Sequence, residues 1–368
     1  MNTPLPPLPV DDLDHVLTHT RQLWAGARGE KFFITGGTGF FGMWLLESFV
    51  RANEALDLGM HAVVLTRDAA AFARKAPHLA ARTDLEFIAG DVRTFPFPPG
   101  RFGCCVHAAT DARARLIDEQ PGEVLEVIVE GTRRVMAFAV QASVKKFLLV
   151  SSGVVYGRQP ADLSHLPEDY AGVPDPVLPG SCYGEGKRLA ENLARAEAEQ
   201  HGCELKIARC FAFVGPHLPL EAHFAAGQFI HDALRGQPIR VAGDGTPRRS
   251  YLYASDLAIW LWTLLFAAPA GRAYNVGSAV DVSIAELAAE VGANSGQNLP
   301  VRIARSPVAG RAPARYVPAV ERAQAELGLR VRVPLDEAIR KTIAWHHAAS
   351  ALAARSAASP GKISFAQP

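Results

Sequence analysis

Tyr183 and Lys187 stand four residues apart in Tyr183-Gly184-Glu185-Gly186-Lys187. On a helix that spacing puts both side chains on one face. An ammonium near a phenol favours the phenolate, so the pair could take and return a proton near working pH. Tyr-x-x-x-Lys also arises by chance, so residues elsewhere must support it. Ser152 closes the apolar run in Val150-Ser151-Ser152-Gly153 and could donate to an oxygen whose charge changes. Glu185 and Glu191, on the same stretch as Tyr183, read as solvated helix charges.

A second constellation is Thr35-Gly36-Gly37-Thr38-Gly39-Phe40-Phe41-Gly42, between an apolar run and a helical stretch. Gly36, Gly39 and Gly42 let the chain turn tightly and bring N–H groups to a pyrophosphate at a helix N-terminus, with Phe40 and Phe41 beside it. Strand before and helix after make this a dinucleotide site rather than a bare turn. The second apolar run ends at Thr66, followed by Arg67 and Asp68. An acid there would hold a ribose 2′-hydroxyl, and an arginine suits a 2′-phosphate. Thr66 and Arg67 thus favour NADP over NAD, although Asp68 could reach the ribose and Arg67 could stack on adenine. Asp91, in Gly90-Asp91-Val92, either accepts from the adenine amino group or is a solvated turn residue. In His107-Ala108-Ala109-Thr110 the small residues let the backbone approach a cofactor, and His107 reads as structural. With an oxidised nicotinamide beside it, Tyr183 would take a substrate hydroxyl proton as hydride leaves the carbon.

Alternating elements must position these groups. Apolar strands are expected at 31–35, 61–66, 85–89, 104–108, 146–151 and 205–208, with helices at 39–50, 124–142 and 181–201. Strands separated by helices mean βαβ units and a buried parallel sheet. Beyond residue 215 the pattern loosens into shorter elements, with helices at 257–267, 283–291 and 335–348. Residues 1–10 are proline-rich and read as a loose arm. Asp11 and Asp12 are candidate caps for a helix to about Trp24.

Composition sets the outer bounds. The chain has 368 residues, 49% hydrophobic and 20% charged, which fits a globular core. A net charge of +1 gives no basic footprint for nucleic acid or a membrane surface. The five cysteines form no Cys-x-x-Cys pair, so neither a metal site nor a disulfide framework is expected. The N-terminus lacks the basic and apolar regions of a signal peptide, and the run 257–270 is too short to span a bilayer. A soluble cytoplasmic protein is the expectation.

Together these motifs resemble the extended short-chain dehydrogenase/reductases, the nucleotide-sugar epimerase/dehydratase family, over residues 31–346. Further marks are Arg209-Cys210-Phe211-Ala212-Phe213-Val214-Gly215-Pro216, the run 243–256 and Tyr274-Asn275-Val276-Gly277-Ser278. The resemblance implies an α/β fold: a Rossmann-like doubly wound parallel sheet with a smaller C-terminal substrate-binding lobe. Residues 1–30 would be an arm and helix, and 31–215 the NAD(P)-binding domain, with 250–280 returning to it. Residues 216–249 and 281–348 would form the lobe, and 349–368 a flexible tail. It also implies that Ser152, Tyr183 and Lys187 are catalytic. Gly36, Gly39, Phe40, Phe41, Gly42, Thr66, Arg67, Asp91, Val92, Ala108, Ala109 and Thr110 would bind NAD(P) with Tyr183 and Lys187. The substrate would be a nucleoside-diphosphate sugar touching Ala212, which replaces a usual Asn, and His223. Arg249 would clamp its diphosphate, an arginine fork being suited to paired phosphate oxygens. Arg315 either assists or forms a surface ion pair. A homodimer through helices 124–142 and 183–201 is implied as well.

The chain departs from that family's 4,6-dehydratases, which place an Asp-Glu pair directly after the Ser/Thr. Here those positions hold Gly153 and Val154, neither of which moves a proton, and the related decarboxylases usually carry an acid there too. The expected activity is epimerisation through a 4-keto sugar. The alternative is NADPH-dependent reduction of a 4-keto-deoxy sugar nucleotide, ahead of dehydration or of NAD(P) sensing without turnover.

Overall fold

The computed structural model describes residues 4–110, 114–178, 180–220 and 224–358. Its centre is a parallel sheet of seven strands: β1 (Lys31–Thr35), β2 (His61–Thr66), β3 (Leu85–Ala89), β4 (Cys104–His107), β5 (Lys146–Ser152), β6 (Glu204–Cys210) and β7 (Arg272–Val276). The spatial order is 3-2-1-4-5-6-7, so the chain reverses direction across the sheet between β1 and β4. A doubly wound sheet opens a crevice at that switch point, beyond the carboxyl ends of its strands. The Rossmann-like α/β class is as expected from sequence.

Alternating strand residues face two separate cores. Phe32 and Ile34 of β1 join one core and Phe33 joins the other. On the first face lie α1 (Val10–Thr20), α2 (Phe40–Ala55) and α3 (Ala254–Ala267). Trp24, Trp44, Trp260 and Trp262 are all fully buried there. Each indole N–H has an acceptor, as with Trp44 to Pro216 O at 3.0 Å and Trp262 to Ser48 Oγ at 2.8 Å. Such satisfied donors let large amphipathic rings pack in a core. The opposite face carries two 21-residue helices, Pro121–Gln141 and Ser181–His201, whose Val135, Phe138, Ala194 and Ala198 pack on Phe33, Cys105 and Phe147.

Small sheets build the lobe beyond the strand ends. Residues 248–250 pair with 281–283 on one side and 315–316 on the other. Residues 239–241 pair with 301–303. No helix among the described residues is long and apolar enough to cross a membrane, and the strongly apolar helix 254–267 is core.

Three expectations about the ends need correction. The N-terminal helix begins at Val10 after Pro9, with no side-chain cap. Asp12 is instead buried, accepting from Tyr253 Oη at 2.6 Å and Lys341 Nζ at 2.6 Å. The described part of the arm is pinned rather than loose: Leu8 N donates to Glu47 Oε2 at 2.7 Å, and Trp345 Nε1 to Pro7 O at 3.1 Å. The last helix runs Leu335–Ala358, past the expected end at 348, because its alanine-rich sequence has high helix propensity.

Candidate active site

The glycine-rich turn is built by close backbone contacts. Gly36 ends β1 at φ +73°, and a Cβ there would lie 2.5 Å from the Ala108 carbonyl. Gly42 lies against Gly37, whose backbone would be 2.2 Å from an added Cβ. Gly39 caps α2 with no side-chain hydrogen bond, and a Cβ on it would meet only Gly36 O at 3.5 Å. One glycine thus makes the turn, one seats the helix on the strand, and one leaves the helix N-terminus approachable. Phe40 and Phe41 follow, and Phe41 meets Phe213 edge-on at 5.0 Å. Ala108 N donates to Thr35 O and Ala109 N to Thr35 Oγ1, which fixes the end of β4 against the turn. Thr110 Oγ1 is buried beside them and has no partner among the described residues. Val92 packs behind this end, where a Cβ on Gly131 would touch it at 2.8 Å. An open helix N-terminus, close glycine contacts and an unpartnered hydroxyl all fit a dinucleotide.

At the end of β2, Thr66 is buried and Arg67 exposed. Asp68 caps the following helix by accepting from Ala71 N at 2.8 Å, so it is committed locally. Asp91 is gripped by Arg93 through Nη2 at 2.7 Å and Nε at 2.9 Å, which holds its carboxyl below the usual range. His107 bridges Thr35 Oγ1 at 2.7 Å and Thr132 Oγ1 at 3.2 Å. Burial pushes its pKa down to about 3, so it is a neutral structural ring.

Ser152, Tyr183 and Lys187 converge where β5 ends and the helix Ser181–His201 begins. Gly180, at φ +80°, turns the chain into that helix. Lys187 is buried and donates to Val150 O at 2.9 Å, with its ammonium 6.0 Å from the Tyr183 ring centre. Burial lowers Lys187 to about 8. Tyr183 is raised to about 12 by burial, partly offset by a hydrogen bond with Ser152. The expected downward shift of Tyr183 is therefore not produced by Lys187 alone. Desolvation dominates, and the phenolate needs further positive charge beside it.

Behind the triad lies a polar network. Arg209 donates to Glu191 through Nη2 at 2.7 Å and Nε at 3.1 Å, and to Tyr156 Oη at 2.9 Å. Ser151 Oγ donates to the same Glu191 at 2.5 Å, and Tyr156 Oη to Asn275 Oδ1 at 2.7 Å. Glu191 is thus a buried ion-pair partner, not a solvated helix charge. One helix face carries Tyr183, Lys187 and Glu191 at four-residue spacing. Glu191 locks Ser151, and with it the strand end that presents Ser152.

The lobe supplies the other wall. Arg249 is half-buried, donates to Arg248 O at 2.8 Å and makes no ion pair among the described residues. Arg315 instead donates to Asp281 at 2.9 Å, alongside Arg248, so its ion-pair reading is the one the structure shows. Ala212 O accepts from Leu252 N at 3.0 Å, where residues 252–253 pair with 213–214 just beyond β6. His223 lies outside the described residues. Sequence reasoning missed Tyr316. The pairing of 315–316 with 248–249 puts it by Arg249, and its ring lies tilted against Phe211 with centroids 4.6 Å apart. Its neighbour Arg315 drew attention, and alternation along a strand sends Tyr316 to the opposite face.

The chain belongs to the NAD dependent epimerase/dehydratase family, which it matches over residues 32–277. It is 28% identical over 316 residues to UDP-glucuronic acid decarboxylase 1 of Danio rerio, covering 86% of this chain and 72% of that one. Identity to UDP-glucuronic acid decarboxylase 5 of Arabidopsis thaliana is 31% over 234 residues, 63% of this chain and 67% of the relative. The fold is similar to that of UDP-glucuronic acid 4-epimerase from Bacillus cereus, solved with UDP-glucuronic acid and NAD. That match has a TM-score of 0.73 at 19% identity and covers 86% of this chain and 99% of that chain. The chain is accordingly an NAD-dependent enzyme of the nucleotide-sugar epimerase/dehydratase type.

Proposed function

We propose that this chain epimerises a nucleoside-diphosphate sugar through a 4-keto intermediate. The carrying observation is a site with Tyr183, Ser152 and Lys187 but no acid at 153 or 154. A Cβ at Gly153 would lie 2.6 Å from Phe211 Cζ and 2.7 Å from Tyr316 Oη, so there is no room for a carboxylate at 153 without rearrangement. Losing water across C5 and C6 needs proton carriers beyond one phenol, whereas epimerisation at C4 does not. NAD(P), when bound, would supply the hydride acceptor and donor for the sugar carbon.

The residues divide the remaining work. Tyr183 takes the 4-hydroxyl proton and gives it back to the same oxygen once the ketone has turned to offer its other face to hydride. Ser152 donates to the same oxygen. Lys187 holds positive charge beneath the phenol, and Arg249 is free to meet the diphosphate. Gly36, Gly39, Gly42 and Thr110 line the cofactor's approach. Exposed Arg67, with Asp68 spent as a cap, supports NADP over NAD. That preference favours a second reading, a 4-ketoreductase that consumes NADPH. Helices 121–141 and 181–201 lie side by side and expose Leu125 and Leu189, which supports pairing with a second copy. Unpaired cysteines support a cytoplasmic setting.

The test is incubation with NAD⁺ or NADP⁺ and a panel of UDP- and dTDP-hexoses including UDP-glucuronic acid, read by proton NMR. A C4 epimer of unchanged mass, at least a thousandfold less with Tyr183→Phe, is expected. Loss of carbon dioxide or water from the sugar would overturn the reading. So would NADPH oxidation with a 4-keto sugar nucleotide and no epimer from any hexose.

A further inference from the structure

Gly153 is closed in by the lobe rather than by its own strand. The Tyr316 phenol and the Phe211 ring fill the volume a side chain there would need. Tyr316 belongs to the strand 315–316, aligned with Arg248 and Arg249, so the substrate lobe carries it to the end of β5. The Arg249 guanidinium lies 5.8 Å from the Tyr316 ring centre. The Tyr316 phenol so placed stands next to Ser152, and the Ser152 hydroxyl favours the ionised form of both the Tyr183 and the Tyr316 phenols, so one hydroxyl serves two.

We propose that Tyr316 is a positioning residue that sets the direction of the Ser152 proton and thereby steadies the Tyr183 phenolate. Ser152 has one proton and two lone pairs. When Tyr183 is ionised, Ser152 donates to it, and Tyr316 donates into Ser152. The Tyr316 proton stays on Tyr316 throughout, and no bond to substrate forms. The chain of donors runs toward the negative charge, and each bond polarises the next. Other titratable or charged groups facing the two phenols are Lys187, Arg249 and the Cys210 thiol. Among the described residues, Tyr316 is the phenol the lobe carries to the end of β5, so on this proposal the base is fully prepared when lobe and sheet are docked.

The inference rests on Tyr183 as the base, in either reading above, and not on the identity of the sugar. Its test is a pH titration of protein labelled with tyrosine carrying 13C at Cζ, saturated with NAD⁺ or NADP⁺ without substrate. The Tyr183 line is assigned by its loss in Tyr183→Phe. In Tyr316→Phe, which keeps the ring contact with Phe211, the Tyr183 midpoint should rise by roughly one pH unit, a tenfold change in ionisation constant. Ser152→Ala should raise it by at least as much, and adding Tyr316→Phe to Ser152→Ala should raise it no further. An unmoved midpoint in Tyr316→Phe, or fully additive shifts in the double variant, overturns the proposal. If Tyr183→Phe left turnover intact, the base assignment itself would fall, a different result from an unmoved midpoint.

Discussion

Two regions on either side of the strand ends handle buried positive charge in opposite ways. Behind the sheet edge, Arg209 meets Glu191 in a forked pair and also donates to Tyr156 and to Glu168 O. Facing the crevice, Lys187 and Arg249 each donate to a backbone carbonyl and make no ion pair among the described residues. Burying a cation without an anion costs stability, so the second arrangement persists only where a ligand or reaction uses it. On the proposed function, the contrast separates residues that build the site from residues that would act in it.

Removing the paired cation should have the largest effect on folding. Arg209→Met strands Glu191 beside Ser151 in the interior, and breaking a buried pair costs about 3–5 kcal/mol. Urea denaturation should show that loss, and Glu191→Gln added to Arg209→Met should recover part of it. A midpoint within error of the wild type would mean that Arg209 is not a structural residue.

Lys187 sharpens the same contrast in the other direction. Its pKa falls from 10.5 to about 8 in the folded chain. Between those values the unfolded chain binds a proton that the folded chain does not, so this group makes stability rise with pH across that window. Below about pH 8 the full cost of the buried ammonium is present, on the order of a few kcal/mol. Lys187→Met should therefore be more stable than the wild type at pH 7 while losing at least a hundredfold in turnover. Its stability advantage should shrink between pH 8 and 10. Tyr183 is raised toward 12, so its own contribution falls only above about pH 10, outside that range. A variant equally destabilised at pH 7 and pH 9.5 would show that packing, not charge, decides this site.

The paired and unpaired regions were unequally legible in the sequence. Gly36, Gly39 and Gly42 announce the turn because their order encodes three backbone demands within eight residues. Tyr183 and Lys187 announce a shared face through helical periodicity. Glu191 has the same periodicity, yet it read as a surface charge because its partner Arg209 lies on β6, and only the packing of the helix against the sheet brings them together. Tyr316 was invisible for the same reason: 315–316 reaches β5 only through the lobe's small sheet. Asp12 misled because an acid near a helix start is an ordinary cap, and nothing local reveals Tyr253 and Lys341 converging on it. Local motifs carry the cofactor half of the site, and tertiary pairing carries the rest.

Arg249 gives the smallest and most discriminating effect. Replacing it by Met removes a half-buried guanidinium that has no carboxylate to strand, so stability should stay within about 0.5 kcal/mol of the wild type, as for substitutions that break no network. If its fork meets paired phosphate oxygens, charge-assisted bonds worth roughly 1.5–3 kcal/mol disappear from binding. Calorimetric titration with UDP and dTDP should then show affinity falling roughly tenfold to a hundredfold for whichever nucleotide binds the wild type. Cofactor affinity should not change, because the partners of Arg249 among the described residues are Arg248 and Tyr316, not the glycine-rich turn. An Arg249→Met protein that binds the nucleoside diphosphate as tightly as the wild type would break the comparison, since an unpaired buried cation in this crevice would then have no anion to meet.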